Sequence, residues 1–351
     1  MQAQTIKAAA VQLEGVPGDV AATLERVELL AEAACAAGAK LVALPEFFTS
    51  PVAVDPRVHQ AVLPPDNAAV ELLKRLARRH GACIGGSMLI ADGGEIYNRY
   101  HFAQPDGRLF LHDKDLPTMW ENCFYGPGRD DGVFETQLGG VGAAVCWELI
   151  RTQTVRRMHG RVAVAMTGTH WWTMPDNWGR LVGGGLAPIG QYNRYLSENA
   201  PAEFARRLGA PVLQASHCGR FRSRFLLLPG LPLAPAYDTE FVGQTQIVDA
   251  HGHVLAQRQA QEGPGFVTAE IRLGAVAPRL PLEDRYWIPR LPAFLHAYWY
   301  QQNACGKAYY RSKGRALGLA AAEQHRQRSA AGAQGLAEPP ASNRKPATGA
   351  P

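Results

Sequence analysis

The first ninety or so residues alternate short, unbroken apolar runs with longer stretches of helical period, and few architectures accept that order. "IKAAAVQL" reads as a strand buried on both faces. In "DVAATLERVELLAEAACAAGA" the residues Val20, Leu24, Val27, Ala31 and Ala34 recur on one helical face, with Asp19 suited to the N-cap and Gly38 to the C-terminal stop. The apolar "KLVALPEFF" turns at Pro45 and Glu46, a second helix runs from Asp66 to the stop at Gly81, and "ACIGGSMLI" is a third strand. Strands with no polar face need cover on both sides, so the order predicts an α/β sheet layered with helices.

Hairpins then take over. "EIYNRYHFAQPDGRLFLHDK" is two alternating runs joined by Pro105-Asp106-Gly107, and "FVGQTQIVDAHGHVLAQRQ" repeats the plan around Gly252. The two halves of the chain therefore look weakly alike. Between them lie "GGVGAAV", a helix from about Ile150 to His159, the strand "RVAVAMTG", a helix from about Gln191 to Leu208 and the strand "APVLQAS". One layered sandwich domain over residues 1–275 accounts for this pattern. Residues 276–311 are too aromatic to be a linker and are expected to pack on the domain or on a partner copy, which favours a homodimer or larger homo-oligomer. Residues 312–351, rich in Ala, Gly, Pro and Ser, are expected to form a disordered basic tail.

Charge narrows the function classes. From Lys307 onward eight basic residues face only Glu323 and Glu338, a surplus larger than the whole chain's +5, so the body is about neutral and a nucleic-acid partner is not expected. No apolar run approaches the roughly 20 residues of a membrane span. A basic segment followed by an apolar core is missing from the N-terminal stretch, so a cytoplasmic protein without a membrane partner is the expectation. The six cysteines, Cys35, Cys83, Cys123, Cys146, Cys218 and Cys305, show no CxxC spacing and read as reduced thiols rather than a disulfide frame or zinc site. "HGH" at His251–His253 suits a hairpin turn better than a metal site, and no metal or cofactor is expected.

Three chemically able residues share one kind of address. Glu46, Lys114 and Cys146 each follow an apolar run, and in α/β sheets such positions face a common crevice. Taken singly, each also suits a buried hydrophobe or a solvated loop residue. Together they suffice for acyl transfer: a carboxylate takes the thiol proton, while an ammonium stabilises first the thiolate and then the negative charge of a tetrahedral intermediate. The turn into the helix after Cys146 would add backbone N–H groups that favour anions.

"LPEFF", "HDKDLPTMWENCFYGPG" and "VCWELIR" resemble, in order and rough spacing, the carbon–nitrogen hydrolase or nitrilase superfamily, and "YNRYHFAQPDGRL" is similar to its hairpin before the lysine. The resemblance covers roughly residues 5 to 273. It implies a four-layer αββα sandwich in which Glu46 is general base, Cys146 nucleophile and Lys114 the stabiliser of developing charge, aided by the backbone N–H of Trp147. Glu121 matches the family's second glutamate, which positions lysine and substrate. No cofactor is implied. The resemblance also places substrate contacts in "THWWTMPDNW", where Trp171 and His170 join Trp147 as candidates for binding a small-molecule substrate. Trp171 and Trp172 suit plain packing as well, and His170 suits a satisfied core histidine. Glu148 reads as a local structural or pocket-wall residue, and Cys218 as structural.

Departures bear on substrate. "CWELIRTQTVRR" has no Pro-Glu after the cysteine, unlike many amidase branches; "CWE" resembles nitrilase branches, yet Leu149 stands where those carry asparagine. The reading is hydrolysis of an amide or N-carbamoyl compound, with a nitrile as the alternative. Rival readings are a Cys–His enzyme using His159, His170 or His217, and a non-catalytic binding protein of the same fold.

Overall fold

The computed structural model describes residues 4–335, Pro232 excepted. Its first sheet grows from β1 (Thr5–Leu13), β2 (Leu41–Ala43) and β3 (Cys83–Asp92), all parallel, and continues antiparallel into β4 (Glu95–Ala103) and β5 (Leu109–Asp113). The side chains of β1 sort by parity. Ala9, Val11 and Leu13 face the helices α1 (Val20–Ala36) and α2 (Ala68–His80), while Ile6, Ala8 and Ala10 face the interior with Tyr100 and Phe102. The expected caps hold, with one shift. Asp19 Oδ1 accepts from Ala22 N–H at 3.0 Å, whereas α2 starts at Ala68 rather than at the expected Asp66, capped by Asn67, whose side chain accepts from Ala69 and Val70.

The second half repeats the plan. β6 (Val133–Thr136) pairs antiparallel with β7 (Gly139–Ala143), which runs parallel to β8 (Val164–Thr169) and β9 (Val212–His217). The short helix α3 (Thr152–Met158) and the second half of the long helix α4 (Gly179–Leu208) lie along this sheet. A short ribbon of β10 (Arg220–Arg224) and β11 (Ala236–Glu240) follows β9. The hairpin β12 (Thr245–Val248) and β13 (Val254–Arg258) extends β9 antiparallel, and β14 (Gly265–Arg272) returns to pair along β1. The parallel strands of the two halves meet where Gln12 and Leu13 of β1 pair with Ser216 and His217 of β9. The result is a nearly closed sheet folded into two facing halves with helices outside, consistent with the four-layer sandwich.

Two boundaries differ from the sequence reading. Helix α4 begins at Gly179, a dozen residues before the expected start, because Gly183–Gly185 and Pro188 conceal its period; this first half is exposed, Leu181 at 95%. The expected tail is also partly ordered. Helix α5 (Ala293–Tyr309) packs on the 3-10 turn Met119–Cys123 of its own chain, and α6 (Arg315–Gly335) on β4 and the turn Pro56–Ala61, with Ala321 and Ala322 buried. Alanine favours helix and permits close approach, which an Ala-rich composition disguises as low complexity. Residues 336–351 of that tail lie outside the described residues. No helix among those described is long and apolar enough to cross a membrane.

Candidate active site

Glu46 sits three residues beyond β2, where the backbone turns through a left-handed Phe47 at φ 54°. Two contacts hold that turn. Phe48 N–H donates to the Ser87 carbonyl, and His217 Nε2 donates to the Glu46 carbonyl at 2.7 Å. Opposite stands Gly168 of β8, where a Cβ would lie 2.2 Å from the Glu46 nitrogen; only glycine lets the two half-sheets approach here. Lys114 leaves β5 with its own N–H still bonded to the Asn98 carbonyl. Glu121 lies in the turn Met119–Cys123, entered through a left-handed Met119. Cys146 opens the 3-10 turn Cys146–Ile150 at φ 55°, a conformation that disfavours any residue with a Cβ and that turns up at functional sites.

The four side chains converge. Lys114 Nζ donates to Glu46 Oε1 and to Glu121 Oε2, each at 2.7 Å. One oxygen of each carboxylate and the Cys146 sulfur all lie within 4.8 Å of one another. All four residues are buried. Asn98 Nδ2 donates to Glu46 Oε1 at 2.8 Å, and Thr118 N–H and the Tyr125 hydroxyl donate to Glu121 Oε2. Glu46 Oε2 and Glu121 Oε1 have no partner. Glu46, Glu121 and Cys146 are also the one group of three metal-type ligands found among the described residues, but the Lys114 ammonium already lies between the two carboxylates, where it would repel a second cation.

Burial and the neighbouring Glu121 push the Glu46 carboxyl up to about 8, against the pull of Lys114. Burial opposes the Lys114 charge, yet Glu121 and Glu46 outweigh it and hold its pKa well above the usual lysine range. Burial and the Glu46 carboxylate push the Cys146 thiol well above its ordinary value, more than Lys114 can offset. The resting sulfur is thus a thiol, and it ionises only by handing its proton to a base in contact with it. Glu46 is the base in reach, and it can take that proton only in its ionised form, which burial and Glu121 oppose and Lys114 favours.

The remaining candidates sort differently. His170 is buried and accepts Val52 N–H at Nε2 (3.1 Å), so its proton is on Nδ1, and burial holds its pKa well below 6.5. Burial likewise lowers His217 to about 4. His159 is exposed at the end of α3. Both buried rings commit one nitrogen to backbone, which speaks against the Cys–His reading. Trp147 and Trp171 line a narrow slot with Met119, Trp172, Leu295 and Tyr298; its free space is about 10 Å³, room for roughly one water. Glu148 holds the turn rather than walling the pocket, since Oε2 accepts Val145 N–H at 2.6 Å. All six cysteines are free and buried.

Asn98, Tyr125 and Asn303 were not singled out from sequence, and His217 was named there only as a rival base rather than as the donor that holds the Glu46 carbonyl. Asn98 did carry a signal, a polar residue on the same face of β4 as Tyr100 and Phe102. Asn303 did not. It reaches back from α5 to accept Met119 N–H and Asn122 Nδ2, both at 2.9 Å.

Fold and cluster together define a layered α/β protein whose facing half-sheets bury a Glu–Lys–Glu–Cys group at their strand ends. The profile of the family described as carbon-nitrogen hydrolase matches residues 7–279, and the chain belongs to that family. It is 34% identical over 182 residues to an aliphatic nitrilase of Rhodococcus rhodochrous, covering 46% of this chain and 50% of that protein. It is 32% identical over 137 residues to the omega-amidase NIT2 of Danio rerio, covering 36% and 49%. The matches thus span about half the length of these curated relatives. Among solved structures, a carbon-nitrogen hydrolase from Helicobacter pylori G27 aligns with TM-score 0.61 at 17% identity, covering 76% of this chain and 89% of that one. A variant of the amidase from Nesterenkonia sp. AN1, with acrylamide added at its active-site cysteine, aligns with TM-score 0.55 at 21% identity, covering 84% and 99%.

Proposed function

We propose that the chain hydrolyses a non-peptide carbon–nitrogen bond of an amide or N-carbamoyl compound through a thioester on Cys146. The observation that carries the reading is the Lys114 ammonium held 2.7 Å from both Glu46 and Glu121, with the Cys146 sulfur beside them. Glu46 takes the thiol proton as the sulfur adds to the carbonyl carbon. The C–O π pair moves onto oxygen, and Lys114 and the Trp147 backbone N–H stabilise that charge. On collapse the C–N bond breaks and Glu46 returns its proton to the departing ammonia or amine. Water then attacks the thioester, giving its proton to Glu46; the acid leaves, and the sulfur recovers the proton. Glu121 orients Lys114 throughout.

A nitrile is the second reading, favoured by the nitrilases among the relatives and by the "CWE" after β7. Ammonia release over small amides, carbamoyl amino acids and nitriles orders these readings; turnover of nitriles with none of amides reverses the order. Assembly into a homodimer or larger homo-oligomer remains part of the proposal, checked by the mass of the purified chain in solution.

A further inference from the structure

The turn that carries Glu121 is held in part by a residue outside the family's matched region. Asn303 belongs to α5, beyond residue 279, and is buried. Its Oδ1 accepts from Met119 N–H and from Asn122 Nδ2, each at 2.9 Å, while Asn122 Nδ2 also donates to the Met119 carbonyl at 2.8 Å. Met119 is the left-handed residue through which the chain enters the turn, at φ 54°, and Asn122 directly follows Glu121. Two successive N–H groups thus take different partners: Glu121 Oε2 accepts from Thr118, and Asn303 from Met119. A left-handed residue with a Cβ persists only where its surroundings fix it. With the Asn303 side chain gone, a buried N–H loses its acceptor and that step of the chain loses its hold. The helix itself is seated closely. A Cβ on Gly306 would lie 2.7 Å from Asn122 Cβ and 3.2 Å from the Cys123 nitrogen, and Gln302 Nε2 ties α5 to the Leu226 carbonyl at 2.8 Å.

We infer that Asn303 is a positioning residue of the active site: by fixing the Met119–Cys123 turn it places the Glu121 carboxylate and, through it, the Lys114 ammonium that meets the developing negative charge. This rests on the thioester reading and deepens it. Asn303 touches neither Lys114 nor Cys146 in this chain of contacts; it acts through Glu121, whose Oε2 accepts from Lys114 Nζ at 2.7 Å. The docking of α5 is thereby made a condition of turnover, supplied by a segment that follows the matched region.

A double-substitution cycle in the full chain separates positioning from plain support of the fold. Turnover is measured on the substrate selected from the amide, carbamoyl and nitrile panel and expressed per folded chain, the folded fraction being read from urea melts. Asn303→Leu, close in shape but without an acceptor, is expected to lower kcat about tenfold with KM little changed. Asn303→Asp keeps the acceptor and should stay within about threefold of the unsubstituted chain. Ala304→Ser, exposed on the same helix, is the control and should change nothing. In a Glu121→Gln background the Asn303→Leu loss should shrink to about twofold or less, because the group that Asn303 places has lost its charge. Gly306→Ala gives a second route should Asn303→Leu fail to fold: it leaves Asn303 in place, crowds Asn122, and should cost about fivefold in kcat, again absorbed by Glu121→Gln. A loss of equal size in both backgrounds, or one that Asn303→Asp shares in full, overturns the inference and leaves the thioester reading standing. A Glu121→Gln chain with undiminished turnover overturns the orienting role of Glu121, and hydrolysis of nothing in the panel overturns the thioester reading; either result takes the inference with it.

Discussion

Two buried ionic groups lie on either side of the Cys146 turn, and they treat the same residue type in opposite ways. At the candidate site two carboxylates share one ammonium, and one oxygen of each has no partner. Behind the turn, Glu148 is fully bonded: Oε2 accepts from Val145 N–H and His112 Nε2, and Oε1 from Asp115 N–H and Arg157 Nη2. Both glutamates are completely buried. Burial opposes ionisation of Glu148 too, yet the His112 charge and these bonds hold its carboxyl far below the usual range, whereas Glu46 rises to about 8. Burial alone therefore decides nothing. The balance of donors and cations against acceptors separates a carboxylate able to exchange a proton from one that clamps a turn.

The sharpest break in this comparison would come from chemistry. Cys146→Ala is expected to lose at least about 10⁴-fold in turnover with an unchanged urea midpoint. Residual hydrolysis by that variant would show that the under-bonded cluster is not where the reaction happens. Next is stability. Glu148→Gln removes the fully buried one of two carboxylates that each of His112 and Arg157 contacts, leaving Asp130 and Asp115, and should cost about 3 kcal/mol. Glu46→Gln should lose turnover about 10²–10⁴-fold, yet shift stability by only about 1 kcal/mol. Equal destabilisation by the two substitutions in urea melts would erase the distinction between them.

Smaller and more diagnostic is the sign of the pH dependence. With Glu46 raised from 4.5 to about 8, the folded chain keeps a proton that the unfolded chain has released, so its contribution is present below pH 4.5 and is lost as pH rises toward 8. Glu148 is depressed, so its contribution is present above 4.5 and is lost as pH falls below that value. His112, raised to about 10, adds its own loss between 6.5 and 10, so slopes are best compared below pH 6.5. Glu46→Gln should flatten the fall between pH 4.5 and 6.5, and Glu148→Gln the acid limb. Unfolding midpoints across pH 3 to 6.5 read both, and slopes of one sign for the two residues would contradict the comparison.

The two clusters also differ in how far the sequence exposed them. Glu46, Lys114 and Cys146 were legible because each ends an apolar run, a local pattern that survives whatever the rest of the chain does. Glu148 was read as a local structural residue two positions from Cys146, and it is; its partners His112 and Asp115 stand more than thirty residues away, where periodicity carries no information about pairing. The α/β order and both hairpins followed from alternation. Helix α4's first half and α6 did not, since Gly, Pro and Ala runs carry little hydrophobic period. Asn303 lies 181 residues from Asn122, and only the docking of α5 brings them together.

Tyr125 offers the finest test of partner counting. Its hydroxyl is one of three donors to Glu121 Oε2, beside Lys114 Nζ and Thr118 N–H. Tyr125→Phe removes one donor and leaves the ammonium in place. If Glu121 acts by fixing Lys114, the loss should appear in kcat at about fivefold, the equivalent of roughly 1 kcal/mol, with KM little changed. Thr118→Ala, which keeps the backbone donor, serves as the control for local packing. A loss in Tyr125→Phe as large as that in Glu46→Gln would mean the phenol handles a proton itself. The number of donors around Glu121 would then no longer account for the difference proposed between this cluster and the one behind it.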